Sequence, residues 1–129
     1  MGKGGVFFDW MLNILISERK IGMFDNVYFS PTPLSFLTEM ICRLILNFDE
    51  YSKETIHISG ELRLSRYQFG CMISEILGNG VEVYPEKKPE DSTFLHDLSI
   101  VSSDIINMWR EKKFKDYIKD EILNATFCE

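Results

Sequence analysis

Apolar residues recur along this chain with two periods, and the change of period separates helices from strands. Phe7, Trp10, Met11 and Ile14 fall three and four apart, with Phe8, Leu12 and Leu15 widening the apolar surface. Residues 5–18 therefore read as a helix sandwiched in the core. "GMFDN" follows as a turn, and "NVYF" as a short extended piece leading into Ser30 and Pro31. A second helix is announced by Thr32 as cap and Pro33 at the first helical position, with a stripe from Leu34 to Phe48 that carries it to about Asn47. The period then drops to two: Ile56, Ile58, Leu62 and Leu64 alternate with His57, Ser59, Glu61 and Arg63, the pattern of a strand with one buried face. Gly60 falls on its buried side, where a bulge or a close backbone approach is allowed.

Ser65 and Gln68 form a capping box for a third helix that Gly78 should stop. "VEVY" at 81–84 predicts a short strand pairing with 56–64, and "PEKKPEDS" at 85–92 a loop. In the final third, Phe94, Leu98, Val101, Ile105 and Met108 form a helical stripe. The period slips between Trp109 and Phe114, which predicts a break and a last helix on Phe114, Tyr117, Ile118 and Ile122. The expected architecture is α+β and predominantly helical: four or five helices around one core with a small two-strand β element, in a single domain over residues 1–129.

Composition agrees with a folded domain. The 129 residues are 45% hydrophobic and 26% charged, close to ordinary globular values. A net charge of −6 disfavours general binding to phosphate backbones and favours docking onto a basic partner. Cys42, Cys71 and Cys128 are odd in number and widely spaced, which fits a reducing compartment. The apolar run from Val6 to Ile16 is interrupted by Asp9 and Asn13 and is too short for a membrane span. A cytoplasmic protein with no membrane association is expected.

Candidate chemistry is sparse. The row His57, Ser59, Glu61 and Arg63 contains a base, a hydroxyl, a carboxylate and a cation, but side chains two apart on a strand stand about 6.5–7 Å from each other. A relay would need partners from elsewhere, so the row reads first as solvated surface. No paired-cysteine or H-E-x-x-H metal motif occurs, and His57 and His96 are far apart in sequence. There is also no G-x-S-x-G, Walker-A or G-x-G-x-x-G sequence, so no cofactor is expected. The segment 109–119, "WREKKFKDYIK", interleaves basic and aromatic residues but mixes in Glu111 and Asp116, and Glu111 with Lys115 makes a favourable helical pair. Acids gather around two tyrosines: Asp49, Glu50 and Glu54 around Tyr51, and Glu82, Glu86, Glu90 and Asp91 around Tyr84. Both groups are candidate docking surfaces for a basic protein.

In its size, its acidity and its lack of catalytic motifs the chain resembles the small cytosolic immunity proteins that bacteria pair with secreted toxins, including those of contact-dependent growth inhibition. The resemblance implies a non-enzymatic inhibitor that binds a cognate basic toxin, often a nuclease, one to one and occludes its active site with acidic and aromatic side chains. Two alternatives stand beside it: a regulatory or nucleic-acid-associated domain using the 109–119 helix, and a small enzyme using His57 and Glu61. The aromatic surplus also leaves homo-oligomerisation open.

Overall fold

Ser65 starts the most completely capped helix of the protein. Its hydroxyl accepts from the Gln68 amide at 3.0 Å, and the Ser65 amide donates to the Gln68 side chain at 2.8 Å. The helix runs over Arg66–Leu77 and ends at Gly78, whose φ of 63° is the left-handed conformation that glycine adopts without strain. Replacing Ser65 with alanine should cost about 1 kcal/mol, read as a lower urea midpoint at unchanged slope.

The computed structural model describes residues 6–90 and 95–127. Asp91, Phe94 and Cys128, which carry part of the sequence pattern, lie outside them. The order is α1 (Val6–Ser17), β1 (Lys20–Phe24), β2 (Tyr28–Phe29), α2 (Leu34–Leu46), α3 (Phe48–Tyr51), β3 (Leu64–Ser65), α4 (Arg66–Leu77), β4 (Glu82–Glu86), β5 (Asp97–Leu98), α5 (Asp104–Trp109) and α6 (Phe114–Phe127).

The strands form two small sheets. β1 and β4 run parallel with Lys20 opposite Glu82 and Phe24 opposite Glu86. β2 lies between β3, antiparallel to it, and β5, parallel to it. The expected pairing of 81–84 with 56–64 is therefore corrected: β4 pairs with β1, a strand lying partly in the stretch expected to turn. Gly22 hides it. A Cβ there would meet the end of the Glu86 side chain, which can swing aside, so the glycine that breaks the strand pattern is accommodated by the ladder without being demanded by it. Beyond the ladder, the Asn26 amide mimics another rung, donating to the Lys88 carbonyl and accepting its N–H at 2.9 Å each.

The single core expected from sequence is two clusters. Met11, Leu12, Leu15, Met23, Phe69 and Ile73 meet Phe114, Ile118 and Ile122 in the first. Phe36, Met40 and Ile106 meet Tyr117 in the second. Both include α6, which offers Phe114, Ile118 and Ile122 to one side and Tyr117 to the other. The α1 stripe is narrower than expected, since Trp10 and Ile16 are exposed. Cys42 is exposed and Cys71 partly buried. Residues 95–103, expected in a helix, are irregular apart from β5, and the helix begins at Asp104.

Candidate functional site

Residues 57–60, expected inside a strand, carry no strand pairing. The Ser59 side chain, expected in the solvated row, is fully buried. Gly60 explains the inversion. A Cβ there would fall on the Pro31 carbonyl oxygen, so the chain passes against the residues before α2 and turns its next side chains about. The Gly60 amide donates to Thr32 Oγ1 at 3.0 Å, which gives Thr32 this bond in place of the expected helix cap.

Around this contact, serines replace the rungs of a β-ladder. Ser59 N–H donates to Ser102 Oγ at 2.9 Å, the two hydroxyls lie 3.0 Å apart, and Ser102 Oγ donates to the Ser59 carbonyl at 3.0 Å. His57 N–H reaches Ser103 Oγ at 2.9 Å. Ser30 Oγ donates to the Ile100 carbonyl at 2.9 Å and accepts its N–H at 3.1 Å. Arg110 donates to the Ser59 carbonyl at 3.2 Å, with its guanidinium 4.4 Å over the Phe36 ring. These bonds wrap residues 99–103 around a hollow of about 170 Å3 whose lining includes Ser30, Ser99, Ser102, Arg63, Glu61 and Asn107.

Two charged groups at the hollow are held in place. The Arg63 guanidinium donates to Asp97 at 2.9 Å and lies 3.8 Å over the Tyr28 ring. Asp97 also accepts the Ser99 hydroxyl at 2.6 Å and the Ser99 N–H at 3.0 Å. Arg63 foremost, then Ser99, holds the Asp97 carboxyl well below the usual carboxylate range, and Asp97 in turn raises Arg63. Both stay ionised at neutral pH. Arg63 Nη1 has no hydrogen bond among the described residues.

Glu61 serves the fold, since its carboxylate accepts the Phe114 N–H at 3.1 Å, at the start of α6. His57 is exposed. Asp49, Glu50 and Tyr51 form α3, with Glu54 in the turn beyond, and the Tyr51 ring meets Trp109 edge-on at 5.7 Å. Glu82, Tyr84 and Glu86 lie on β4 and Glu90 in the turn after it, with Lys20 3.6 Å from Glu82 and 5.1 Å from the Tyr84 ring. The two acidic groups thus sit on different elements, one on α3 and the turn after it, the other on β4 and the turn after it. In segment 109–119 the helix is interrupted, Lys112 pairs with Asp120 at 3.0 Å, and Lys115 pairs with Glu75 at 3.1 Å. Glu111 goes to Arg43 at 2.6 Å, replacing the expected pair with Lys115.

Ser30, Ser99, Ser102 and Asn107 are not apparent from sequence. The usable signal is the small-residue pair Ser59-Gly60 inside an apolar run, matched later by Ser102-Ser103: closely packed backbones bridged by hydroxyls leave this trace. No three histidine, cysteine or acidic side chains converge as a metal set among the described residues. None of the described helices is long and apolar enough to cross a membrane.

No protein-family model matches the chain, and no curated protein matches it in sequence. Solved structures do. A dTDP-4-dehydrorhamnose reductase from Clostridium acetobutylicum superposes with a TM-score of 0.77 at 19% identity, covering 98% of this chain and 46% of the reductase. The Bacillus anthracis enzyme of that name, solved in complex with NADP, gives 0.75 at 18% identity over 96% of this chain and 44% of its own. The Yersinia enterocolitica enzyme gives 0.73 at 16% identity, with 93% and 43% covered. The chain therefore has the fold of part of these reductases and spans less than half their length. This corrects the expectation of a free-standing helical fold of immunity type. It also overturns the inhibitor reading: these structural relatives are enzymes, and none is a toxin inhibitor of the contact-dependent kind. Of the alternatives, the enzyme reading is the better supported.

Proposed function

We propose that this chain is the substrate-holding part of a reductase acting on a nucleotide-linked sugar, with NADP held by a second unit. The observation that carries the reading is the likeness over 98% of this chain to 46% of a dTDP-4-dehydrorhamnose reductase. The residues present do not fit an NADP site, because the sequence contains no G-x-G-x-x-G loop to receive a pyrophosphate. The hollow suits the sugar nucleotide instead. The Asn107 amide offers a donor to a sugar hydroxyl, the lining serines, whose protons are taken up within the fold, offer oxygens that can accept, and Arg63 offers a cation to a diphosphate. At about 170 Å3 it is smaller than the roughly 300–1,000 Å3 of complete small-molecule sites, so it grips part of such a ligand. This chain's residues bind and orient; the hydride-donating group belongs to the second unit.

Titration calorimetry of the chain tests this division between the two units. dTDP-rhamnose should give saturable heat, weakened about tenfold by Arg63→Gln, the loss of one charged hydrogen bond. NADPH should give none. Absent heat with the sugar nucleotide, an Arg63→Gln variant that binds as well as wild type, or tight NADPH binding would each overturn the reading.

A further inference from the structure

The hydroxyl protons around the hollow are committed to the fold. Ser30 donates to the Ile100 carbonyl at 2.9 Å, Ser99 to Asp97 at 2.6 Å and Ser102 to the Ser59 carbonyl at 3.0 Å. The Ser59 hydroxyl, fully buried, has the Ile100 and Gly60 carbonyls to donate to, at 3.2 Å each. Glu61 is a carboxylate and offers only oxygens. A ligand entering here therefore meets side-chain acceptors at most points and side-chain donors at two, the Arg63 guanidinium and the Asn107 amide. Asn107 is the uncharged one of the pair.

Asn107 lies in the last turn of α5, and Arg110 caps the end of that helix. The two are joined twice: the Arg110 N–H donates to the Asn107 carbonyl at 3.3 Å, and Arg110 Nη2 donates to Asn107 Oδ1 at 3.2 Å. The same Nη2 donates to the Ser59 carbonyl at 3.2 Å, so both of its protons are placed. The guanidinium also lies 4.4 Å over the ring of Phe36, which is fully buried. Arg110 is thus fixed by the fold on three sides. A guanidinium only donates, so the amide atom it meets has to be the oxygen. That settles which way round the Asn107 amide stands, with Oδ1 towards Arg110 and Nδ2 away from it. Nδ2 makes no hydrogen bond among the described residues, and Asn107 lines the hollow.

We propose that Asn107 is a specificity-determining residue of the hollow, donating through Nδ2 to an oxygen of the bound sugar nucleotide, and that Arg110 is the positioning residue that holds the amide in this sense. The proposal rests on the reading of the hollow as a sugar-nucleotide site. Arg110 touches no ligand and acts through Asn107. Without it the amide is free to turn over and present Oδ1 among the oxygens already there. The ligand oxygen at that point would then face lone pairs in place of a donor, and the desolvation of an unpaired polar group would weigh against binding.

Calorimetry with dTDP-rhamnose on single and double variants tests it, beside the order parameter of the Asn107 side-chain amide, measured by NMR relaxation in the ligand-free chain. Asn107→Asp keeps an oxygen for Arg110 and replaces the free donor with a second oxygen. It should melt as the wild type does and bind at least about tenfold more weakly. Asn107→Ala should weaken binding about fivefold. Arg110→Lys keeps the charge but loses the fork that spans the two oxygens. It should lower the amide order parameter from about 0.8 to below about 0.6 and weaken binding about as much as Asn107→Ala. Arg110→Lys combined with Asn107→Ala should bind no more weakly than Asn107→Ala alone, since one residue acts through the other. Wild-type affinity in Asn107→Asp would overturn the donor role, in an experiment that leaves Arg110 untouched. An unmoved order parameter in Arg110→Lys, or losses that add in the double variant, would overturn the positioning role. No heat from the wild type, with the amide ordered and loosened by Arg110→Lys, would strike the sugar-nucleotide reading and the donor role together and leave only the hold of Arg110 on the amide.

Discussion

Gly60→Ala is expected to destabilise the fold by about 3 kcal/mol or more, at the upper end of overpacking effects. The new methyl carbon would fall on the Pro31 carbonyl oxygen and crowd the Pro31 carbonyl carbon as well. Backbone has no rotamer into which it can retreat, so residues 30–32 and 59–60 must separate. Separation breaks the Gly60 N–H bond to Thr32 Oγ1 at 3.0 Å and disturbs Ser59, whose side chain is fully buried among Ser102 and Ile100. Since domains of this kind are stable by only about 5–15 kcal/mol, such a loss removes a large share of the total. Urea unfolding followed by circular dichroism measures it. A midpoint equal to that of the wild type would mean that the approach of Gly60 to Pro31 is not a fixed feature of the native state.

Phe36→Ala should cost about 3–5 kcal/mol, the range for truncating a buried aromatic ring. Phe36 is fully buried in the smaller cluster, its ring centroid 5.4 Å from that of Tyr117 in an edge contact, with Arg110 over its face. Met40, Ile106 and Tyr117 enclose it, with Leu44, Ile56, Ile58, Ile105 and Trp109 packed partly buried around them, and a close-packed surround of this kind relaxes only in part into the cavity. The damage reaches the hollow as well, because Arg110 rests on that ring while it donates to the Ser59 carbonyl. The measurement is the midpoint of thermal unfolding, with Phe36→Leu as a partner variant that should recover more than half of the loss. Equal melting for Phe36→Ala and wild type would contradict the enclosed cluster.

The capped helices are legible in the sequence because their signals are local. Ser65 with Gln68, Gly78 beyond Leu77, and the slip of period before Phe114 each report on bonds made within a few residues. The apolar stripe of α2 likewise places its end at Asn47, the observed cap. What the sequence hides is long-range. β1 and β4 are far apart along the chain, and nothing in "KIGMF" names "EVYPE" as its partner. The alternation at 56–64 points to extended chain but assigns the wrong face to Ser59: period two assumes an unbroken pleat, and the close approach at Gly60 breaks it. The hollow is invisible for a related reason. Its serines come from three separate segments, and a hydroxyl substituting for a ladder bond looks, in sequence, like any other loop serine. The acidic groups at Asp49–Glu54 and Glu82–Asp91 are easy to see because charge is visible in composition, yet visibility in composition carries no information about which surface meets a ligand.

The position of α6 between the two clusters has a consequence for how the protein reaches its fold during synthesis. Phe114, Ile118 and Ile122 complete one cluster and Tyr117 the other, while Glu61 must wait for the distant Phe114 amide that it caps. A nascent chain emerging from the ribosome can form its capped helices early, but it can close neither cluster until α6 has cleared the exit tunnel. Commitment to the native state therefore waits on α6. Until then Phe36 and Phe69 stay within reach of chaperones, and a ribosome stalled before residue 114 would display a chain with helices but no closed interior.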